Sequence, residues 1–584
     1  MGHTLSYASI EKGMTVMPPA TKPRIAVFSG PTATIQNSEP LVTSNKARHK
    51  YGLPLRTNPD GSPLRFDALR PQRLAAPVTV YVEQFSAHPL ERDAAELYAP
   101  PDGYLDPSGV FHTERQGPRD IPVYEVTLRP EDGLYLLPYM ARQANGQAWE
   151  DDGAMPQAPA AQCRQPFYPD ASRLFEEIDR LGLGDNGLAS LLSSKADYDF
   201  YRAVPSGGYT KGLPASKRSD VGEGDIAPEA LGRDFFPYRP AYLRWEPPMA
   251  SLARLTNVVQ QALTSGQYAG AIWLEGSPFV EETSYWLNLL IDTPVPFVGN
   301  ASQRAHGAVS NDGDRNIIDA VDYILSRIWV DSSGRDSVGV VVIQDEQLFT
   351  AREVQKADAR PGGYVATGGH GGIVGTMGQP GLPALTFRPV KRHTHTSAVN
   401  LSRLPACVEG VRLDNGRLVR VAVPIKDARG ALLATAIPKV TIAKHARYLH
   451  EDASGDPEAE VDILARIAKN LREAPLAGFV AEGSAPFASM SNAVEAVLRR
   501  ATLSGMPVVK VGRGNAEGPV DPTRATLAIA GSNLTATKAR LLLMACLLRF
   551  GSLPPALDPT HPTPAELEAV QVKLAEYQAV FDTH

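Results

Sequence analysis

The stretch Ala271-Ile-Trp-Leu-Glu-Gly-Ser-Pro-Phe-Val-Glu-Glu-Thr-Ser-Tyr-Trp-Leu287 decides the fold of this chain. An apolar run turns at Glu275-Gly-Ser-Pro278 and continues with apolar residues at helical spacing, which predicts a buried strand followed by a helix. Such a turn places the Ser277 hydroxyl at the carboxyl edge of a sheet, where backbone N–H groups point toward an anion. Ser277 is therefore a candidate nucleophile or oxyanion binder, although many α/β proteins have such turns without chemistry.

The composition limits the class of protein and its partners. The chain has 584 residues, enough for roughly two to four domains, and a formal net charge of −6 gives no electrostatic argument for nucleic acid. Three widely separated cysteines, Cys163, Cys407 and Cys546, argue against a disulfide framework and a zinc site. Residues 1–22 lack a signal-peptide pattern, and no run approaches the about eighteen apolar residues of a membrane span. We expect a cytoplasmic protein without a membrane partner.

Hydrophobic periodicity predicts strands that alternate with helices, and hence parallel sheets with right-handed crossovers. The predicted strands are Arg24–Phe28, Val78–Val82, Val338–Ile343, Ala477–Val480 and Met506–Val511, and the predicted helices are Ala171–Leu181, Leu252–Leu263, Ile317–Ile328 and Ser491–Ser504. The last helix has a well-marked start, because Thr563 can cap it, Pro564 suits its first turn and Glu566 completes a capping box.

Three motifs in one register resemble the bacterial-type L-asparaginase family. The run Gly276-Ser-Pro-Phe-Val-Glu-Glu-Thr283 resembles the family's second signature, H-G-T-D-T-M-E-E-T. Pro294-Val-Pro-Phe-Val-Gly-Asn300 resembles K-P-V-V-x-V-G-A, and Ser310-Asn-Asp-Gly-Asp-Arg-Asn316 resembles S-A-D-G-x-x-N. The register is unbroken from Gly276 to Asn316, which makes the match specific.

Weaker matches extend the resemblance in both directions. Ser29-Gly-Pro-Thr-Ala-Thr34 resembles the first signature, T-G-G-T-I-A, and the run from Gln344 to Lys356 resembles N-D-x-x-x-x-x-R-D-V-x-K. Arg388-Pro-Val-Lys-Arg-His-Thr394 resembles the R-K-H-T run that closes the family's first domain. Ser532–Leu543 resembles the helix L-x-P-x-K-A-R-x-L-L.

The resemblance implies a two-domain asparaginase-like α/β fold, with parallel sheets flanked by helices. We expect an N-terminal arm at 1–22, an N-terminal domain at 23–400, a smaller α/β domain at 407–556 and a C-terminal helix at 557–584. The family does not account for residues from about 55 to 240. A structureless loop of that length is unusual in a compact domain, so we expect an inserted, partly irregular subdomain.

The family's chemistry implies roles for four residues, with no metal and no cofactor. Ser29 or Thr32 would attack the amide carbon to form an acyl-enzyme, and backbone donors would hold the oxyanion. Ser277 would be the second hydroxyl and Lys356 the proton acceptor. Tyr51 could serve as the tyrosine of the loop that closes over substrate, although a solvated basic loop is the simpler interpretation.

Departures from the family pattern change the predicted substrate. Pro278 replaces the family's aspartate, and Glu275 replaces the histidine before the motif. Glu246 and the prolines beside it stand where the family has G-S-x-D-M, and residues 481–486 do not match the asparagine-bearing turn of a neighbouring subunit. We keep Tyr51, Glu246, Glu275 and Gly276 as candidate substrate-binding residues, but expect a substrate other than asparagine. If Glu275 turns inward, it could replace the lost aspartate beside Lys356.

Three functions remain open from the sequence. The first is an amidohydrolase that cleaves an amide, lactam or imide; the second is a non-catalytic ligand-binding or scaffold protein; the third is an acyl-transfer enzyme using the same site. The resemblance also implies a homo-oligomer, either a tetramer or a dimer. Asp312 and Asn316 are expected to shape a turn or cap a helix, His370 to be solvated, and His393 and His395 to lack a third metal ligand.

Overall fold

The structure is a computed structural model that describes residues 22–30, 42–44, 60–61, 66–68, 70–73, 78–82, 103–107, 110–128, 134–137, 175, 178, 191–202, 249, 251–304, 310, 312–360, 362–367, 372–378, 382–445, 455–484, 487–513, 520 and 527–584. The predictions for the arm at 1–21, for Thr32, Tyr51 and Glu246, and for His370 lie outside these residues.

The described strands fall into an N-terminal and a C-terminal group. The first comprises β1 Arg24–Ser29, β2 Val42–Ser44, β3 Phe66–Ala68, β4 Arg70–Arg73, β5 Val78–Val82, β6 Gly103–Leu105, β7 Phe111–His112, β8 Ile121–Leu128, β9 Leu134–Leu137, β10 Asp197–Arg202, β11 Gly270–Leu274, β12 Phe297–Asn300, β13 Val341–Gln344, β14 Gln347–Thr350, β15 Val354–Lys356, β16 Tyr364–Ala366, β17 Ile373–Met377 and β18 Pro383–Leu385. The second comprises β19 Cys407–Asp414, β20 Arg417–Pro424, β21 Lys439–Lys444, β22 Ala477–Gly483, β23 Val508–Gly512 and β24 Ile529–Ala530.

The described helices are α1 Leu192–Lys195, α2 Ser251–Leu263, α3 Val280–Leu290, α4 Gly313–Ser326, α5 Val461–Glu473, α6 Asn492–Leu503, α7 Ala536–Phe550 and α8 Pro564–Thr583. Among them, α2, α4 and α6 correspond to the helices predicted at Leu252–Leu263, Ile317–Ile328 and Ser491–Ser504, whereas α1 and α5 were not predicted. The helix predicted at Ala171–Leu181 lies outside the described residues except for Phe175 and Ile178. Helix α8 begins with the predicted capping box, in which Thr563 accepts from the Glu566 N–H and the Glu566 side chain bonds back to Thr563.

The central sheet has eight strands in the order β10-β1-β11-β12-β13-β14-β17-β18. The strands from β10 to β13 pair in parallel, as predicted, whereas β13, β14, β17 and β18 pair antiparallel. Ser29 lies opposite Leu274, so β1 and β11 end side by side. Gly30, which directly follows β1, and the turn at Glu275–Pro278 therefore meet at the carboxyl edge of the sheet.

The region that we predicted to be an insertion contributes to the central sheet. Strand β10 lies inside the residues from 55 to 240, yet it pairs in parallel with β1 along its whole length. Its sequence, Asp-Tyr-Asp-Phe-Tyr-Arg, alternates polar and aromatic residues, so a search for apolar runs overlooks it. Other described strands of the region form an antiparallel sheet in the order β5-β8-β6-β7.

The C-terminal unit begins with an antiparallel hairpin rather than a strand-helix repeat. Strands β19 and β20 pair from Cys407 to Pro424 and turn at Asn415-Gly416, where φ is 47° and 77°. Two residues of positive φ are what a tight hairpin requires, and Asn-Gly is its strongest sequence signal. The all-parallel sheet β21-β22-β23-β24 follows, flanked by helices as predicted.

One hydrophobic core joins the N-terminal and C-terminal sheets. Helix α7 packs against β21 and β22 on one side and against α3 on the other. Its residues from Leu541 to Leu548 are all buried, and they belong to the same cluster as Trp273 and Trp286. Burying one large apolar side chain contributes about 1.5–3 kcal/mol, so this shared core fixes how the two sheets sit together.

Candidate active site

The turn after β11 places Ser277 at the carboxyl edge of the central sheet. Ser277 is half-buried, and α3 begins three residues later. The neighbouring turn after β1 is held close, because the Gly30 N–H donates to the Leu274 carbonyl at 2.8 Å. For Ser29 the structure describes the backbone only, so the roles proposed for Ser29 and Thr32 stay predictions.

A tyrosine occupies the space beside Ser277. The Tyr364 hydroxyl donates to Ser277 Oγ at 2.8 Å, and burial raises the pKa of Tyr364. Tyr364 lies on β16, directly opposite Lys356 on β15. The sequence analysis missed Tyr364. The available signal was the glycine pair before it, since Gly362 has a φ of 78° and allows the chain to fold back as a hairpin.

Lys356 reaches the same site without contacting Ser277 directly. Its Nζ donates to Gln303 Oε1 and to the Arg360 carbonyl, and it lies 5.6 Å from the centroid of the Tyr364 ring. Both acceptors are neutral. No hydrogen bond joins Lys356 Nζ to Ser277 Oγ in the described part of the chain. The two predicted residues therefore both lie beside Tyr364 and do not bond to each other directly.

Asp312 and Asn316 shape the turn that carries Gln303. The Asp312 carboxylate accepts from the backbone N–H groups of Gln303 and Arg304, at 2.9 Å and 2.7 Å. Asn316 donates to the Ala301 carbonyl at 2.9 Å. The turn-shaping role was expected. The Asp312 side chain does not cap α4, because these backbone groups occupy it.

Glu281 and Lys538 link the site to the C-terminal unit. Glu281 Oε2 accepts from the Lys356 N–H at 2.6 Å. Lys538, on α7, donates to the backbone carbonyls of Glu281 and Ala351. Lys538 is only 2% exposed, and burial lowers its pKa while the nearby Glu281 carboxylate opposes that shift. The ammonium of Lys538 thus joins α7, the first turn of α3 and the segment that leads into β15.

Glu275 turns inward but does not replace the lost aspartate. Its carboxylate accepts from Trp273 Nε1 at 2.8 Å and also bonds with Thr283, and among the described residues no hydrogen bond or ion pair joins it to Lys356. Burial raises its pKa to about 7. A Cβ added to Gly30 would come within 3.2 Å of the Glu275 side chain, so this carboxyl lies against the first-signature turn. The contact that we expect between Glu275 and a substrate remains a prediction.

The remaining candidates have structural partners. The Gly276 carbonyl accepts from the Val280 N–H at 3.2 Å, which closes the first turn before α3. His393 and His395 lie with ring centroids 5.7 Å apart, and burial lowers the pKa of His393 to about 4.

Among the residues that the structure describes, no three His, Cys, Asp or Glu side chains cluster as metal ligands. In the same residues, no helix is long and apolar enough to cross a bilayer.

Comparisons with known proteins place the similarity around this site. Residues 248–372 match the family model described as Asparaginase, N-terminal. The glutaminase-asparaginase of Acinetobacter glutaminasificans is 29% identical over 170 residues, which cover 29% of this chain and 47% of that protein. The L-asparaginase of Bacillus licheniformis is 35% identical over 108 residues, or 18% of this chain and 32% of that protein. The chain thus spans less than half the length of these relatives.

A likeness to one solved structure extends further along the chain but is weak. A probable cytoplasmic L-asparaginase from Campylobacter jejuni superposes with a TM-score of 0.40 at 22% identity, covering 57% of this chain and 81% of that one.

Proposed function

We propose, from the match of residues 248–372 to the family model described as Asparaginase, N-terminal, that this chain is an amidohydrolase acting through a hydroxyl nucleophile. The observation that carries the proposal is the cluster of Ser277, Tyr364, Gln303 and Lys356 at the carboxyl edge of the sheet. The phenol donates to the hydroxyl, and the Lys356 amine lies 5.6 Å from the centroid of the phenol ring. A hydroxyl, a buried phenol and an amine gathered in this way supply the donors and acceptors that acyl transfer needs.

The hydrogen-bond direction at Ser277 supports its role as the second hydroxyl. Tyr364 donates to Ser277 Oγ, so the Ser277 proton is free to point toward a substrate oxygen or nitrogen. In the proposed reaction, the oxygen of Ser29 or Thr32 attacks the amide carbon, and the C–N bond breaks. The proton of the attacking hydroxyl passes to the cluster of Ser277, Tyr364 and Lys356, and the same cluster returns a proton to the leaving nitrogen. Water then attacks the acyl carbon, loses a proton to the cluster, and releases the acid while the cluster reprotonates the nucleophile's oxygen.

The surroundings of Ser277 favour a substrate other than asparagine. Pro278 is exposed and offers no charge, and the Glu275 carboxylate is held by Trp273 and Thr283. Within the described residues, no carboxylate bonds to Ser277 Oγ or to Lys356 Nζ. Among the described residues an α-ammonium group would find no carboxylate bonded at these two atoms, and charge-assisted hydrogen bonds contribute about 1.5–3 kcal/mol each. The substrate that fits best is an amide, lactam or imide less zwitterionic than asparagine.

A substrate panel tests the proposal. The intact chain is incubated with primary amides, lactams and cyclic imides, and with L-asparagine for comparison, while acid and amine products are measured. We expect turnover of at least one uncharged amide or imide, together with a covalent adduct on a hydroxyl in the mass spectrum. Hydroxamate formed in the presence of hydroxylamine would reveal acyl transfer. A complete lack of turnover and adduct would favour the non-catalytic alternative, and turnover of asparagine at roughly 1 per second or more would contradict the substrate class.

A further inference from the structure

A second pocket lies apart from the cluster around Ser277. It has a volume of about 220 Å³ and lies between the segment 350–353 and the segment 387–393. Phe387, Val340 and Val390 supply apolar wall. A pocket of this size admits a small molecule rather than a peptide or a nucleotide. Much of its lining comes from the two runs that resemble family motifs, Gln344–Lys356 and Arg388–Thr394, but the proposed reaction does not use it.

The charge around this pocket is strongly unbalanced. Four cationic side chains line it, namely Arg352, Arg388, Lys391 and Arg392, together with one acid, Glu353. The Glu353 carboxylate is already occupied, because its two oxygens accept from Arg352 Nη1 and from the Thr350 hydroxyl. The lining residues therefore carry an excess of positive charge, which the Asp582 carboxylate near Lys391 and the Asp336 carboxylate near Arg388 offset in part.

Two of the other cations, Arg388 and Lys391, donate to neutral backbone carbonyls. Arg388 donates to the Trp329 carbonyl at 3.0 Å, and Lys391 donates to the Asp582 carbonyl at 2.7 Å. A neutral carbonyl satisfies a donor without cancelling its charge. Burial lowers the pKa of Lys391 and the nearby Arg352 guanidinium adds to that shift, while the Asp582 and Glu353 carboxylates oppose it.

Arg352 has one donor without an acceptor. It is 5% exposed; its Nε donates to the His584 carbonyl and its Nη1 to Glu353. Its Nη2 is buried and has no hydrogen-bond partner among the residues that the structure describes. An unsatisfied buried donor on a charged group is costly, so an acceptor from outside the described chain would stabilise this arrangement.

We propose that this pocket binds a small organic carboxylate, with its oxygens toward Arg352 and the other cations and its short apolar body against Phe387 and Val340. A guanidinium fork matches a carboxylate in geometry and charge. The apolar wall distinguishes an organic acid from an inorganic anion. The proposal does not depend on amidohydrolase activity, since the pocket is formed by residues outside the cluster at Ser277.

The test is calorimetric titration of the intact chain with butyrate, and separately with inorganic phosphate, at one ionic strength. Val390 is 94% exposed at the pocket, so Val390→Glu and its neutral control Val390→Gln should both fold. We expect saturable butyrate binding, with affinity about fivefold weaker in Val390→Glu than in Val390→Gln. The reason is that the added carboxylate repels the butyrate anion at close range through water.

A second variant addresses the guanidinium itself. Arg352→Lys keeps the charge but loses the fork, and we expect it to weaken butyrate binding by about tenfold or more. Equal affinity in the two Val390 variants, or no saturable binding by the intact chain, would overturn the site. Phosphate binding more tightly than butyrate would overturn its assignment to an organic carboxylate.

Discussion

At the level of single residues, Tyr364 is the side chain whose replacement tests the candidate active site most directly. Tyr364→Phe removes the hydroxyl that donates to Ser277 and leaves the buried ring in place. We expect kcat on a substrate found in the panel to fall about tenfold with little change in KM, the effect of one lost hydrogen bond. Steady-state kinetics measures this. Tyr198→Phe, which removes a hydroxyl bonded to the Leu192 carbonyl, is the matched control. Equal rates in the two variants would remove Tyr364 from the mechanism.

Ser277 and Lys356 should behave as one unit through Tyr364. Lys356→Met and Ser277→Ala are each expected to abolish turnover, and the double variant should be no slower than either single one. Single-turnover and steady-state rates of the three variants measure this. A double variant whose loss equals the product of the two single losses would show that the two residues act independently.

Glu275 predicts a pH dependence of stability. Burial raises its pKa from the ordinary 4.5 to about 7 in the folded chain. The folded chain therefore binds this proton more tightly than the unfolded chain, so the free energy of unfolding falls as pH rises from about 4.5 to about 7. The group's contribution to that fall is at most about 3 kcal/mol.

Glu275→Gln should remove this contribution and flatten the slope over the same pH range. Denaturant unfolding at several pH values measures the difference between the two chains. Asp336, whose pKa burial also raises to about 7, remains in both proteins and cancels in the comparison. Parallel slopes in the two proteins would show that the Glu275 carboxyl is ionised in the folded state.

At the level of elements, the start of α8 offers a separate test of local structure. Thr563→Ala removes the oxygen that accepts from the Glu566 N–H, and we expect a loss of about 1 kcal/mol in the free energy of unfolding. Val572→Ala, on the same helix with its side chain 63% exposed, is the control and should change stability by less than about 0.5 kcal/mol. A loss no larger than that of the control would mean that the capping box is not stabilising.

Elements with a strong repeating pattern were predictable from the sequence. The helix predicted at Ser491–Ser504 is α6, Asn492–Leu503, because its apolar face and its Ser491 cap are both visible in the sequence. The strand predicted at Val338–Ile343 is shifted, since β13 is Val341–Gln344. Strand β10 was missed because aromatic residues alternating with charged ones do not form an apolar run.

The candidate site was only partly predictable, for a different reason. Ser277 and Lys356 could be found because they stand in family motifs. Tyr364 could not, because its role depends on the pairing of β15 with β16, which brings it opposite Lys356. Gln303 reaches Lys356 through a turn held by Asp312. The spacing of residues along the sequence does not predict such contacts between distant segments.

At the level of the whole molecule, we predict a homo-oligomer, either a tetramer or a dimer. The reason is the resemblance to a family whose members complete each site with a neighbouring subunit. Sedimentation at micromolar concentration should therefore give a mass two or four times that of one 584-residue chain. A single species with the mass of one chain would contradict the prediction.

Lys538 gives the molecule a further property. The matched family segment ends at residue 372, yet the lysine that holds the backbone of Glu281 and Ala351 enters from α7, far beyond it. Excised by itself, residues 248–372 would leave both carbonyls without their donor and expose the face of α3 that α7 covers. The segment that shows sequence similarity is therefore not a unit that packs without the rest of the chain. Any exchange of this segment between relatives would have to carry its partner helix with it.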